Sequence, residues 1–108
     1  MMARAVYLTD AASTDLHDIF SHILRHDSPA HAERLLVQFE SVFHNLNTNP
    51  ERGHWPEELA ELGIREYRQL YLHSYRILYR VNADVVHIVL ICDGRRDMSS
   101  LLQRRLLS

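Results

Sequence analysis

The feature of this sequence that most constrains its fold is a change in the spacing of apolar residues near mid-chain. Before that point apolar residues recur every three or four positions, which is typical of amphipathic helices. After it they alternate with polar residues or form short continuous runs, which is typical of strands. The chain is therefore expected to pack helices against a sheet, and its fold class is predicted to be α+β.

Two amphipathic helices are predicted in the first half. Thr9 and Asp10 follow a short predicted strand over residues 3–8 and can cap the first helix. Ser28 followed by Pro29 is a start signal for the second helix. Tight spacing between them predicts an antiparallel hairpin. Each helix has one apolar stripe, which consists in the first of Ala12, Leu16, Ile19, Phe20, Ile23 and Leu24 and in the second of Ala32, Leu35, Leu36, Phe39, Val42, Phe43 and Leu46.

The second half predicts a three-stranded antiparallel meander. Residues 64–72 and 75–81 are rich in Tyr, Leu and Ile, with Arg at alternate positions. Residues 82–84 supply turn chemistry, and residues 85–91 form an almost unbroken apolar run. Such a run predicts that the last strand is central in the sheet and buried on both faces.

These elements predict one domain over residues 1–108, in the order β-α-α-β-β-β-α. The architecture is a two-helix N-terminal hairpin packed on a small, mainly antiparallel four-stranded sheet. A loop and an acidic turn over 51–63 join its halves, and Asp97 can cap a final helix. The 46% hydrophobic content supports a modest core without staples. Apolar residues of that final helix are Met98, Leu101, Leu102 and Leu106.

The expected location is the cytoplasm. Cys92 is the single cysteine, so no intramolecular disulfide can form. The N-terminus does not resemble a signal peptide, and no stretch approaches the roughly 18 apolar residues of a membrane span.

Charge is distributed unevenly along the chain. Residues 1–63 contain four Arg and ten acidic residues, whereas residues 64–108 contain eight Arg and four acidic residues. The net charge of −2 argues against a general polyanion binder. Every one of the 12 basic residues is Arg, whose guanidinium suits phosphate and carboxylate partners. The functional surface is therefore expected in the second half.

Several stretches together resemble the RelE/ParE family of small bacterial toxins. They are residues 62–68, 75–81 and 93–97, supported by Ala12, Asp15, Leu16 and Ile19 in the first helix and by Asn49, Pro50 and Gly53 in the loop after the second. The resemblance extends over nearly the whole chain. It implies a toxin of a type II toxin–antitoxin module, held inactive by a cognate ParD-like or related antitoxin in a higher-order hetero-oligomer.

The resemblance leaves three functions open. ParE-like toxins poison DNA gyrase, RelE-like toxins cleave messenger RNA in the ribosomal A site, and some members could bind an antitoxin without a toxic target. The ParE-like mode is favoured here because the chain departs from the RelE pattern. It has no Lys, and it has no Tyr or His after His87.

The ribonuclease alternative would depend on a small set of residues. His73, in a predicted turn, and His87, in a predicted strand, are the acid–base candidates. Arg76, Arg80 and Arg95 are the cations that could surround a scissile phosphate. For the favoured function no catalytic residue is assigned.

The Arg residues of the second half are interpreted as a surface for an anion or a partner. Alternation predicts that Arg76 and Arg80 share one face of their strand. Arg65 and Arg68 are predicted on opposite faces of the preceding strand. The last two members, just before the final helix, are Arg95 and Arg96. Local ion pairs of these Arg with Asp93, Asp97 or Glu66 are the alternative reading.

Neither a metal nor a cofactor is predicted. His22 and His26 are four residues apart on a predicted helix, with Asp18 one turn earlier, but the chain lacks a complete zinc motif. These side chains are expected to be solvated, and Cys92 is expected to pack as a small hydrophobe.

Overall fold

The computed structural model describes residues 5–107, which form an α+β structure around one four-stranded sheet. Its strand order is β1-β4-β3-β2, with β1 parallel to β4 and the remaining neighbours antiparallel. The predicted meander and the central position of its last strand are confirmed. The elements are β1 (Ala5–Leu8), α1 (Asp10–His26), α2 (Pro29–Thr48), α3 (Glu57–Ala60), β2 (Arg68–Leu72), β3 (Tyr75–Asn82), β4 (Val85–Asp93) and α4 (Met98–Leu102), followed by a π-helical turn (Gln103–Leu107).

Both long helices begin at the predicted caps. The Thr9 hydroxyl accepts a hydrogen bond from the backbone N–H of Ala12 at 3.2 Å. The Ser28 hydroxyl accepts one from His31 at 3.1 Å, and Pro29 occupies the first helical turn. Each cap satisfies a backbone donor that the helix itself leaves without an acceptor.

A β-bulge sets which residues of β4 face each side of the sheet. Leu78 of β3 is opposite Leu90, whereas the next residue, Tyr79, is opposite Ile88. Val89 is the extra residue of β4, and it packs on the same side as Leu90. The bulge therefore shifts the alternation of β4 by one position at its centre.

The two faces of the sheet are covered by separate hydrophobic clusters. The helix-side cluster packs α1 and α2 on the sheet through Ala12, Leu35, Phe39, Leu46, Leu70, Ile77, Tyr79, Val86, Ile88 and Ile91. The far-side cluster packs α3 and α4 on the opposite face through Leu59, Tyr67, Leu78, Val89, Leu90, Cys92, Met98, Leu101 and Leu102. Cys92 is buried there, as expected of a small hydrophobe.

The structure corrects several predicted boundaries. β2 begins at Arg68 and not at residue 64, because Ile64 and Tyr67 pack into the far-side cluster before the strand starts. The predicted acidic turn contains α3, whose four residues are too few to show a helical period. The α-helical part of the final helix ends at Leu102, and residues 3 and 4 of the predicted first strand lie outside the described residues.

Among residues 5–107, no helix combines the length and apolar character required to cross a membrane.

The loop after α2 is attached to the sheet through Tyr79 and Gly53. The Tyr79 hydroxyl accepts a hydrogen bond from the backbone N–H of Gly53 at 2.9 Å, and the Tyr79 ring is fully buried. A Cβ at Gly53 would lie 2.6 Å from that hydroxyl oxygen, so the close approach requires glycine. His54 then forms an antiparallel bridge with Gln69 on the outer edge of β2.

We expect Tyr79→Phe to lower the free energy of unfolding by about 1 to 2 kcal/mol, because the buried Gly53 N–H loses its acceptor. Urea denaturation monitored by circular dichroism measures the change. The matched control is Tyr71→Phe, since Tyr71 is 56% exposed. Equal unfolding midpoints for the two variants would contradict the assigned role of the hydroxyl.

Candidate functional site

Arg76 lies inside the protein and holds α3 to the sheet. Its side chain is 5% exposed, and its Nη1 and Nη2 donate to the two carboxylate oxygens of Glu58 at 2.7 and 2.9 Å. Its Nε donates to Gln69 Oε1 at 2.8 Å. The hydrogen bond from Arg76 lowers the pKa of Glu58, and the same bond raises the pKa of Arg76. This guanidinium is committed to the fold through a partner that the sequence reading did not consider.

Arg68 is also committed, in this case to the loop after α2. Its Nη1 donates to the carbonyl oxygen of Gly53 at 2.8 Å, and its guanidinium carbon lies 4.1 Å from the centroid of a Trp55 ring. Trp55 therefore packs against a strand residue, although it remains 39% exposed.

In the segment that leads into α4, the carboxylates form ion pairs or hydrogen bonds with nearby residues of the same segment. Arg95 Nη2 lies 2.7 Å from Asp93 Oδ2, and the Arg95 bonds lower the pKa of Asp93 to about 2. Asp97 accepts hydrogen bonds from the backbone and side chain of Ser100, which lower the pKa of Asp97. The pairing of Arg95 with Asp93 is one of the two alternatives that the sequence left open.

Four members of the predicted arginine surface are exposed, and three of them lack the carboxylate partner that Arg95 has: Arg65, Arg80 and Arg96. Within residues 5–107 none of these three side chains has a hydrogen bond or an ion pair. Arg65 precedes β2, so the prediction that it faces away from Arg68 on one strand is wrong; the strand starts only at Arg68. Arg76 and Arg80 do lie on one side of β3, as predicted, but only Arg80 reaches solvent.

The two candidate histidines lie at opposite ends of β3. His73 occupies the predicted β2–β3 turn with a φ of 55°, and its Nε2 is 2.8 Å from Gln38 Oε1 of α2. His87 lies within β4, directly opposite Arg80. Arg80 is five residues beyond Tyr75, where β3 begins, and this corresponds to about 17 Å along a strand. The fold therefore does not bring His73 and His87 to one phosphate.

The sequence reading missed a second polar network, between α1 and the C-terminal turn. Arg105 Nη1 and Nη2 each donate to the Asp15 carboxylate at 2.9 Å, and Nη2 also donates to the Val89 carbonyl at 3.0 Å. Asp15 in turn accepts the backbone N–H of Ile91 at 3.0 Å. These side chains form hydrogen bonds with backbone groups of β4 that lie beyond the end of β1 and therefore have no strand partner on that edge. The sequence signal that could have indicated this network was an Asp beside the apolar stripe of α1.

A shallow groove of about 470 Å³ lies between α3 and the C-terminal turn. Leu62 and Leu107, which line it, are 64% and 41% exposed. Glu58 and Glu61 also line the groove; the Glu58 carboxylate is bonded to Arg76, whereas Glu61 is exposed. Exposed apolar side chains beside an acidic residue suit a protein segment better than a nucleic acid.

Among the described residues no group of three or more His, Cys, Asp or Glu is placed to hold a metal ion. His22 and His26 contact each other through their rings, whose centroids are 4.5 Å apart.

Two solved structures share the fold of this chain. A structure described as the chromosomal ParDE TA system from P. aeruginosa matches with a TM-score of 0.69 and 20% sequence identity, covering 82% of this chain and 94% of the other. The toxin–antitoxin complex RelBE2 from Mycobacterium tuberculosis matches with a TM-score of 0.56 and 23% identity, covering 86% and 93%. These two likenesses define the fold of the chain.

Sequence comparison is more specific. Toxin ParE3 of Caulobacter vibrioides is 30% identical over 100 residues, which cover 93% of this chain and 96% of the relative. The model of the family described as ParE toxin of type II toxin-antitoxin system, parDE, matches residues 6–98. The chain therefore belongs to the ParE toxin family of type II toxin–antitoxin systems, as the resemblance implied.

We expect Glu58→Gln to reduce the free energy of unfolding by about 3 kcal/mol at neutral pH, because it leaves the buried Arg76 charge without its counter-ion. The folded-state pKa of Glu58 lies below 4.5, so its stabilisation is present above that pH and is lost as pH falls through the folded-state pKa. The difference between the two proteins should therefore shrink in acid.

Urea denaturation at neutral pH and at about pH 3 measures both effects. Glu57→Gln is the matched control, since Glu57 is exposed in the same helix and should change stability by less than about 0.5 kcal/mol. A Glu58→Gln effect as small as that of the control, or one independent of pH, would contradict the assigned ion pair.

Proposed function

We propose that residues 1–108 act as a single cytoplasmic toxin domain that inhibits DNA gyrase by binding it, and that a cognate antitoxin neutralises this domain. The observation that carries the proposal is the separation of the candidate acid–base groups. Membership of the ParE family and the likeness to Toxin ParE3 support the same target class.

Cleavage of RNA requires a base, an acid and cations around one phosphate. The His73 side chain is directed to Gln38 on the helix side, whereas Arg76 lies on the far side. The guanidinium groups of Arg76 and Arg95 are already bonded to carboxylates. A mode of action through binding needs none of these groups to converge, and it therefore fits the structure better than hydrolysis.

The antitoxin is proposed to cover the groove between α3 and the C-terminal turn with an amphipathic helix. Leu62 and Leu107 are large apolar side chains that a partner would remove from water. Glu61 at the rim favours a helix with Lys or Arg beside its apolar stripe. The matched solved structures are described as a ParDE system and a toxin–antitoxin complex, which supports an antitoxin partner in a hetero-oligomer here.

A ribosome-dependent endoribonuclease is the second candidate, favoured by one observation. His87 and Arg80 are direct neighbours across β3 and β4, and Arg80 is exposed. On that account His87 would be the single acid–base group beside a cation.

The direct test is supercoiling of a relaxed plasmid by gyrase in the presence of the purified chain. We expect inhibition that a His73→Ala/His87→Ala double variant retains within about twofold, since binding does not require proton transfer. Translation of a reporter messenger RNA in a cell-free extract is measured in parallel and should continue. The proposal would be contradicted, and the ribonuclease supported, if the wild-type chain left gyrase active but arrested translation and the double variant no longer arrested it.

A further inference from the structure

The sheet ends at β1, whose outer edge has no neighbouring strand among residues 5–107. The backbone N–H of Thr9 donates to the Ile88 carbonyl of β4 at 3.0 Å. Successive backbone groups of a strand point alternately to its two sides, so Tyr7 also faces β4, whereas Val6 and Leu8 face outward. Val6 and Leu8 therefore each present one N–H and one C=O group at the open edge.

This edge lacks the features that usually protect an unpaired strand. Residues 5–8 include no charged residue and no Pro, which are the common means of protecting a sheet edge. At the opposite edge of the sheet, by contrast, His54 forms a bridge with Gln69 and so covers part of β2. Tyr7 is 58% exposed on β1. An uncharged, open edge that carries an exposed aromatic side chain is suited to pairing with another chain.

A small pocket beside β1 contains a polar atom without a partner. The pocket has a volume of about 250 Å³ and is lined by Val6 of β1 and by Phe43, His44 and Asn47 of α2. Within residues 5–107, the buried Oδ1 of Asn47 has no hydrogen-bond partner. Such an oxygen is uncommon in folded proteins, because burial removes it from water. The surface at β1 is therefore incomplete in the isolated chain.

We propose that the outer edge of β1 pairs with the same edge of a second copy of this chain, about a two-fold axis at Tyr7. In this antiparallel register, Val6 of each copy exchanges two hydrogen bonds with Leu8 of the other, so every outward-facing backbone group of Val6 and Leu8 is used. Tyr7 then lies directly opposite Tyr7 of the second copy, and the two rings pack together across the axis. The two four-stranded sheets join into one continuous sheet.

A second copy fits this edge because the edge is complementary to itself. A two-fold contact brings each residue close to its own equivalent, so any charge near the axis would meet a like charge. Residues 5–8 are uncharged and meet this condition. Val6 and Leu8 both face the helix side, so Leu8 of the second copy would lie beside Val6 and cover the pocket at Phe43. The inference goes beyond gyrase inhibition and does not rest on it, since it concerns the chain alone.

Analytical ultracentrifugation of the purified full chain tests the proposal. We expect the mass to rise with concentration from 12.7 kDa toward twice that value. Because the contact is small, the dissociation constant should lie at about 10⁻⁶ to 10⁻⁴ M. Tyr7→Lys and Tyr7→Asp should each raise this constant at least about tenfold, since each places like charges directly opposite each other. An equimolar mixture of the two variants should form the dimer again, because opposite charges then face each other.

Disulfide trapping tests the position of the axis. Directly opposed residues of a non-hydrogen-bonded antiparallel pair have Cα atoms about 4.5 Å apart, which is within the range that a disulfide spans. Tyr7→Cys should therefore form a covalent dimer when oxidised glutathione is added, whereas the buried Cys92 should not react. Tyr71→Cys is the matched control, because Tyr71 is 56% exposed on β2, away from the axis, and it should cross-link more slowly.

Tyr71→Lys is the matched control for charge and should leave the dimer intact, and circular dichroism establishes that each variant is folded. The proposal is overturned if the wild-type chain remains a monomer up to about 10⁻³ M, if the dimer survives Tyr7→Lys and Tyr7→Asp, or if mixing these variants does not restore it. Equal cross-linking of Tyr7→Cys and Tyr71→Cys also overturns it. So does a monomeric wild type whose Tyr7→Lys variant no longer inhibits gyrase, which would make the edge a contact for gyrase.

Discussion

Burial of β3 and β4 on both faces is the constraint on which the rest of the structure depends. Two adjacent strands with apolar residues on each side require two covering layers. The long helical hairpin provides one layer, and the short helices α3 and α4 provide the other. Because the second layer is small, it covers one end of the sheet and leaves the other end, at Arg80 and His87, open to solvent.

The same constraint divides the arginines between fold and surface. Arg76 lies under the small layer, where the Glu58 carboxylate and Gln69 compensate its charge. Arg105 reaches Asp15 and closes the edge of β4. At the open end, by contrast, Arg80 has no such partner within the described residues. The second half of the chain is rich in Arg, but some of these side chains are bonded within the fold. Only the remaining Arg side chains can contact a partner.

Much of the fold could be predicted from local sequence signals. The apolar run of β4 predicted its central position, and Ser28 with Pro29 predicted the start of α2. Alternation correctly placed Arg76 and Arg80 on one side of β3. Each of these inferences needs only neighbouring residues, because helix caps and strand periods are local properties.

The remaining features depend on contacts between distant segments. Alternation assigns Arg76 to a face but cannot indicate that α3 covers it, since α3 has only four residues. The Asp15–Arg105 pair joins residues 90 positions apart, and no local pattern relates them. The candidate site was predictable to the extent of its residue types. The structure was needed to show which guanidinium groups are available to a partner.

We propose that this ParE-family toxin acts by binding gyrase and not by cutting RNA. The most direct test of this proposal is pulse-labelling of new protein within minutes of inducing the chain alone in bacteria, with a DNA-damage reporter measured in the same culture. The account predicts that labelling continues while the damage reporter rises and cells filament. Collapse of labelling before any damage signal would contradict it.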